Sequence, residues 1–270
     1  MKYTKHLFLA TMLASLVSAR LAEAGSVNLV QNGSFESTTL SAPGYFSVNS
    51  GTSTASNVTG WSVACSYTYN ASCSAGLPDL TLVVPSGLTT SPSSNVPYGN
   101  GMLYLAALSP DGGNFVADDG DSHYQAAFYQ SITGLNPGDS YNVSFYQAAG
   151  QQEGPYASAI TDFWQVGLGL SFNSGDSVYH DSATMSTPNQ GFTAWQQQTV
   201  SFTATATTEV LSFIAGGGPA GEPPIALVDG ISMTDTTTSG AAPEPSSLAL
   251  VGIGLAGLFV ARRQRRNSRV

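Results

Sequence analysis

The interior of this sequence carries no lysine or arginine. All eight basic residues lie before residue 25 or after residue 242, whereas fifteen of the seventeen acidic residues lie between these limits, the exceptions being Glu23 and Glu244. A buried carboxylate in this interior must therefore accept hydrogen bonds from backbone amides or hydroxyls, or bind a metal ion. Nucleic-acid binding is excluded, because it requires cations opposite the phosphates.

The first 24 residues have the order of a secretory signal peptide. Lys2 and Lys5 precede an apolar run at 7–17, and Ala22-Glu23-Ala24 forms a small-residue cleavage signature. A buried N-terminal helix is the alternative, but the basic, apolar, small order favours export. We therefore predict a signal peptide at 1–24.

The other end of the sequence predicts a single transmembrane helix at 246–261. This segment is almost wholly apolar, and five arginines follow it. As a helix it would be about 24 Å long, somewhat shorter than the roughly 30 Å hydrocarbon core of a bilayer. Arginines beyond it would stay cytoplasmic and leave the preceding domain outside. The polar segment 234–242 is predicted to be a linker.

Short segments with alternating apolar and polar residues fill the interior. In 141–146 the apolar residues Tyr141, Val143 and Phe145 alternate with polar ones, and 164–170 and 199–204 have the same period. A period of two predicts strands with one buried face, on which Trp164 is a core residue. Less regular strand candidates lie near 58–64, 79–84, 102–108, 124–132, 209–215 and 225–233, with loops at 37–56 and 85–100. Nine or more strands without a long helix predict an all-β sandwich over 25–233.

Cys65 and Cys73 are the two cysteines, and seven residues separate them. In an exported protein, a pair this close is expected to form a disulfide that closes a small loop. Two free thiols are the alternative. The spacing matches no zinc or redox motif.

Four segments together resemble the galactose-binding-like jelly rolls of carbohydrate-binding modules. They are Asn28-Leu29-Val30-Gln31-Asn32-Gly33-Ser34-Phe35-Glu36, Gly60-Trp61, the turn at 135–141, and Ala226-Leu227-Val228-Asp229-Gly230-Ile231-Ser232. The resemblance implies a jelly-roll β-sandwich. It also implies a structural calcium ion between the N-terminal loop and the last strand, with Glu36 and Asp229 as ligands. The alternative is that these two carboxylates only accept backbone hydrogen bonds.

Pro243-Glu244-Pro245, with the apolar run and the arginines after it, resembles the PEP-CTERM sorting signal. The resemblance implies that an exosortase recognises this motif and removes the tail. It further implies an envelope-bearing bacterium that makes exopolysaccharide.

Sugar binding needs an aromatic ring for the apolar face of the sugar and amides or carboxylates for its hydroxyl groups. Trp61, Tyr146, Gln147 and Trp195 are the candidates, and core packing is the alternative for each aromatic residue. The acidic stretch 118–123 could bind calcium or sugar hydroxyls, although a solvated turn is the favoured interpretation.

Catalysis is not predicted. The sequence has no Gly-x-Ser-x-Gly elbow, and no lysine is present between the terminal segments for a Schiff base or a P-loop. We therefore expect an exported, non-catalytic protein that binds carbohydrate or exopolysaccharide, or acts as an adhesive module. The alternatives are a purely structural matrix protein and, less favoured, a polysaccharide hydrolase.

Overall fold

The computed structural model describes residues 27–40, 44–45, 57–65, 82–84, 97–98, 101–104, 109–121, 125–172 and 175–237. All of them belong to one compact unit, Ser26–Gly240. The predicted signal peptide, sorting motif and transmembrane helix lie outside the described residues, as do Cys73 and the side chain of Cys65. Within the described ranges, no helix has the length and apolar character needed to cross a membrane.

The described residues form strands joined by turns. The strands are β1 (Gly44–Tyr45), β2 (Ser62–Cys65), β3 (Leu82–Val84), β4 (Pro97–Tyr98), β5 (Gly101–Tyr104), β6 (Phe115–Asp119), β7 (Ala126–Thr133), β8 (Ser140–Gln152), β9 (Ile160–Gly169), β10 (Ser177–Asp181), β11 (Met185–Thr187), β12 (Gln196–Thr203), β13 (Thr208–Gly218) and β14 (Pro224–Asp235).

Two antiparallel sheets contain these strands. The first sheet has the order β1-β3-β6-β14-β8-β5-β4, with β12 also paired to β8. The second has the order β10-β9-β13-β7-β2, with β11 also paired to β9. The turn at 135–141 joins β7 of the second sheet to β8 of the first, and Asp139 N donates to Asn136 O across it at 3.1 Å. The prediction of an all-β jelly-roll sandwich is confirmed.

The core lies between the sheets and is built around Trp164. Its ring meets Phe128 edge-on at 5.6 Å between centroids, and Phe128 stacks on Phe213 at 5.3 Å. The indole Nε1 of Trp164 donates to the carbonyl of Leu227 at 2.9 Å, which links β9 of one sheet to β14 of the other. Trp164 is fully buried, so its predicted place in the core is confirmed.

The acidic stretch after Phe115 is not a solvated turn, and this prediction is wrong. Asp118 and Asp119 end strand β6, and Asp118, Asp119 and Asp121 are only 0%, 2% and 4% exposed. Asp118 and Asp119 stand opposite Ala226 and Ile225 of β14, and Asp121 Oδ2 accepts from Gly221 N at 2.8 Å. The last strand and the turn before it therefore cover this stretch.

Other differences concern strand ends and short strands. β10 and β11 were not predicted, and β1 and β4 lie within the segments predicted to be loops. Leu170 is 67% exposed because β9 ends at Gly169. β14 continues to Asp235, two residues into the predicted linker, because it pairs with β8 as far as Tyr141.

Gly33 lies against the last strand, where no side chain fits. A Cβ built on Gly33 would lie 1.9 Å from the carbonyl oxygen of Ile231. Gly33→Ala is therefore expected to destabilise the fold by about 3 kcal/mol, because backbone must move to relieve the overlap. Gly175→Ala is the matched control, since a Cβ there meets nothing within 4 Å. Urea unfolding of both variants checks this; equal stabilities would contradict the close approach.

Candidate functional site

Two of the predicted sugar-binding residues are buried in the interior. Trp61 is 1% exposed and packs 5.5 Å from Phe35 between ring centroids, and its Nε1 donates to Asn32 O at 2.9 Å. Gln147 is fully buried, and its Nε2 donates to Ala183 O at 2.7 Å. Neither side chain can meet a polysaccharide at the surface, so their assignment to a sugar-binding site is wrong. Gln147 continues the inward-facing series Tyr141, Val143 and Phe145 of β8, so its burial follows from the alternation of that strand.

Tyr146 and Trp195, the other two candidates, are half-buried and lie on the first sheet. Tyr146 on β8 stands opposite Asp229 of β14 and Gln197 of β12. Trp195 precedes β12 and meets Phe115 edge-on at 5.5 Å between centroids. Their role in sugar binding stays a prediction.

The outer face of the second sheet carries a separate set of aromatic rings. On β9, Trp164 and Val166 point into the core, so Phe163, Gln165 and Gly167 point outward. A row crosses the sheet from Tyr129 through Ser212 and Gly167 to Tyr179, each residue opposite the next. We define the aromatic face as Tyr129, Phe163, Phe172 and Tyr179, all of which are half-buried.

Outward-facing glycines explain how these rings come to lie flat. A Cβ built on Gly167 would lie 2.4 Å from Cε1 of Tyr179, and one built on Gly216 would lie 2.5 Å from Cζ of Phe163. Each ring therefore covers a glycine on the neighbouring strand. These glycines were the signal that could have found the face from sequence, since a glycine within a strand often marks close approach of another group.

Phe172 connects the two ends of the cross-strand row. Its ring stacks on Tyr129 with centroids 4.9 Å apart and an interplanar angle of 28°. Its backbone carbonyl accepts a hydrogen bond from the hydroxyl of Tyr179. Phe172 is thus held over the sheet, and the three rings form one apolar surface.

Polar groups separate this surface from Phe163. Gln165 lies between Asp181 of β10 and Ile214 of β13, and its Nε2 donates to Asp181 Oδ1 at 3.4 Å. Phe163 is four residues from Gly167, a separation of about 13 Å along a strand. The aromatic face therefore offers rings at two positions with an amide and a carboxylate between them.

Asp229, the predicted metal ligand on the last strand, is a fully buried carboxylate. Its Oδ1 accepts from Gly230 N at 2.7 Å, while Oδ2 is buried without a hydrogen-bond partner. Burial raises the pKa of Asp229 from 3.8 to about 7, the nearby Ser109 hydroxyl opposes the rise, and the charges of Asp111 and Glu36 add to it. The structure thus brings Glu36 and Asp229 within electrostatic reach of each other.

The N-terminal loop holds Glu36 close to this strand. Ile231 N donates to Gly33 O at 3.0 Å, and Glu36 Oε1 accepts from Asn114 N. The orphaned Oδ2 of Asp229 and the nearby acids suit a hard cation with oxygen ligands. Among the described residues, no three His, Cys, Asp or Glu side chains are grouped to hold a metal. Hydroxyl and main-chain oxygens would have to complete such a site.

The C-terminal residues 241–266 match the PEP-CTERM protein-sorting motif. The predicted sorting signal, with Pro243, Glu244 and Pro245, is therefore confirmed. The motif indicates an exported, envelope-sorted protein and implies processing by an exosortase. No curated protein matches the sequence.

Solved structures to which this chain is similar include two carbohydrate-binding modules and one enzyme. TmCBM61, solved with β-1,4-galactotriose, is 14% identical over 78% of this chain and 99% of its own, with a TM-score of 0.37. A CBM4 module is 15% identical over 77% of this chain and 99% of its own, with a TM-score of 0.35. An arabinose-bound GH51 α-L-arabinofuranosidase is 15% identical over 79% of this chain and 27% of its own, with a TM-score of 0.41. These similarities concern the fold alone and say nothing about a ligand.

Proposed function

We propose that this protein is a non-catalytic, exported carbohydrate-binding protein that holds an exopolysaccharide chain on the aromatic face. The observation that carries the proposal is the arrangement of half-exposed rings with Gln165 and Asp181 between them. Rings contact the apolar faces of sugars, while an amide and a carboxylate bond their hydroxyl groups.

The negative charge of the domain narrows the class of polysaccharide that it is expected to bind. Residues 25–242 include fifteen acidic side chains and no lysine or arginine. A domain of this charge repels anionic polymers, and it has no cation with which to pair their carboxylates or sulfates. We therefore expect a neutral exopolysaccharide as the ligand.

Calcium has a structural part in this proposal. Asp229 and Glu36 would hold the ion, with Ser109 and main-chain oxygens close by to complete the set. A bound calcium supplies the positive charge that the chain itself lacks, and it stabilises the contact between the N-terminal loop and β14.

Removing rings from the aromatic face is expected to weaken binding. Phe172→Ala should lower the affinity for a neutral polysaccharide at least tenfold, since a lost stacking contact of about 1.4 kcal/mol corresponds to that factor. Phe172→Tyr should retain binding, because it keeps the ring. Affinity electrophoresis in gels cast with single polysaccharides, with calcium present, measures the change for the full-length chain in mild detergent.

Tyr146→Ala and Trp195→Ala serve as the comparison on the first sheet, where these half-buried rings also lie. If they abolish binding while Phe172→Ala does not, the ligand binds the first sheet and the aromatic face is the wrong surface. Binding to no polysaccharide would favour a purely structural matrix protein. Shortening of the polysaccharide during incubation would favour a hydrolase.

A further inference from the structure

Asp162 is a buried carboxylate that only half satisfies its hydrogen-bonding needs. It lies on the inner face of β9, in alternation with Ile160 and Trp164, and is fully buried. Thr187 Oγ1 donates to Asp162 Oδ2 at 3.0 Å. The other oxygen, Oδ1, is buried as well and has no hydrogen-bond partner. Such a group is costly to bury unless something else contacts it.

The surroundings of Asp162 are acidic. Burial raises the pKa of Asp162 from 3.8 to about 8, the bond from Thr187 opposes this, and the charge of Asp119 adds to it. Asp119 is the last residue of β6 and opens the connection to β7, where a Cβ built on Gly120 would lie 2.7 Å from the backbone of Gly216. The neighbouring Gly217 pairs with Asp162 itself. The connection that carries Asp119 therefore packs beside the strand next to Asp162.

Neither protonation nor ionisation of Asp162 satisfies the buried Oδ1 atom. If Oδ1 carried the proton, a buried O–H donor would have no acceptor; if the group were ionised, its charge would have no partner from a lysine or arginine. A cation bound at Oδ1 removes both difficulties. Carboxylate and carbonyl oxygens are the ligands that calcium prefers.

We propose that Asp162 and Asp119 bind a calcium ion at the end of the sandwich where β6 leads into β7. Thr187 positions the Asp162 carboxylate through its hydroxyl. Since no three acidic or histidine side chains are grouped within the described ranges, main-chain oxygens and water complete the coordination. The ion ties the 119–121 connection to β9 of the second sheet.

This ion is distinct from one held by Asp229. Gly120 N donates to Pro224 O at 2.7 Å, which places the 119–121 connection beside the first residue of β14. Asp229 is five residues farther along that strand, about 16 Å away. The inference does not depend on glycan binding.

Calcium stoichiometry tests the inference. The full-length chain in mild detergent is stripped with a chelator at pH 8, dialysed against radioactive calcium and counted. Asp162→Asn and Asp119→Asn should each bind one calcium fewer than the parent chain. Asp229→Asn should retain the Asp162 ion, and Asp139→Asn, in the turn before β8, is the matched control that should change nothing.

Thermal unfolding gives a second readout. Calcium should raise the melting temperature of Asp229→Asn, and this rise should be lost in the Asp162→Asn, Asp229→Asn double variant. If Asp162→Asn does not fold, Asp119→Asn decides the stoichiometry. Unchanged stoichiometry in Asp119→Asn and in a folded Asp162→Asn would overturn the inference. So would a parent chain that binds no calcium.

Discussion

Raising the pH from 4 to 8 in the presence of a chelator is expected to destabilise the protein by several kcal/mol. Burial raises the pKa of Asp229 from 3.8 to about 7 and that of Asp162 from 3.8 to about 8. Between the unfolded and folded pKa values the folded state binds more protons than the unfolded state. Stability must then fall as the pH rises, and the full loss is reached above about pH 8.

The size of the stability loss follows from the pKa shifts of Asp229 and Asp162. Each unit of pKa difference corresponds to about 1.4 kcal/mol, so each group contributes at most on the order of 5 kcal/mol. The groups facing Asp229 are Asp111, Glu36 and Ser109, and those facing Asp162 are Asp119 and Thr187. Neither carboxylate faces a positive charge that would lower its pKa and so oppose the loss of stability.

Urea unfolding at pH 4 and pH 8, followed by tryptophan fluorescence, measures this dependence. The Asp162→Asn, Asp229→Asn double variant should lose most of it, because neither asparagine titrates. Calcium should also reduce it, since a bound cation stabilises the ionised carboxylates. A parent chain equally stable at both pH values without metal would contradict the burial of these groups as free acids.

Trp164→Ala is expected to destabilise the fold by about 5 kcal/mol. The substitution removes the central side chain of the core and leaves a cavity among Phe128 and Phe213, at the upper end of the cost of such truncations. It also removes the donor to Leu227 O, the bond that joins the two sheets. A loss of this size is a large part of the stability of an ordinary domain.

Two further variants separate the contributions of packing and hydrogen bonding. Trp164→Phe should cost about 2 kcal/mol, because it keeps most of the ring volume but not the indole donor. Trp195→Ala is the matched control, since Trp195 is half-buried and packs chiefly on Phe115. Urea unfolding followed by circular dichroism ranks all three. If Trp164→Ala cost no more than Trp195→Ala, the core would not be organised around Trp164.

Sequence reasoning located the long strands because their burial repeats every second residue. β8, β9 and β12 cover the segments with the clearest alternation, and Trp164 was assigned correctly to the core. It failed at Asp118 and Asp119, where polarity indicated solvent but both side chains are buried beside β14. Local composition does not report which distant segments cover a side chain, because that depends on the tertiary structure.

At the candidate site, too, some of the residues predicted from the sequence were placed correctly and others were not. The landmarks at Glu36 and Asp229 predicted two acids close together, and the structure brings them within electrostatic reach. Trp61 and Gln147 were assigned to the surface by residue type, yet both point inward. Phe172 was missed, because it lies outside the strands and its contact with Tyr129 joins residues far apart in the chain.

The sequence by itself determined the C-terminal sorting signal, the strand-forming pattern and the absence of lysine and arginine within the domain. These are properties of composition and short-range order, so they can be read without knowing which residues meet. Only the tertiary structure decided which carboxylates are buried and which aromatic rings share a face. Antiparallel pairing joins residues far apart in the chain, such as Asp119 with Ile225 and Tyr129 with Ser212. Because the domain has no lysine or arginine, the carboxylates of Asp162 and Asp229, once buried, must bind a proton or a metal ion.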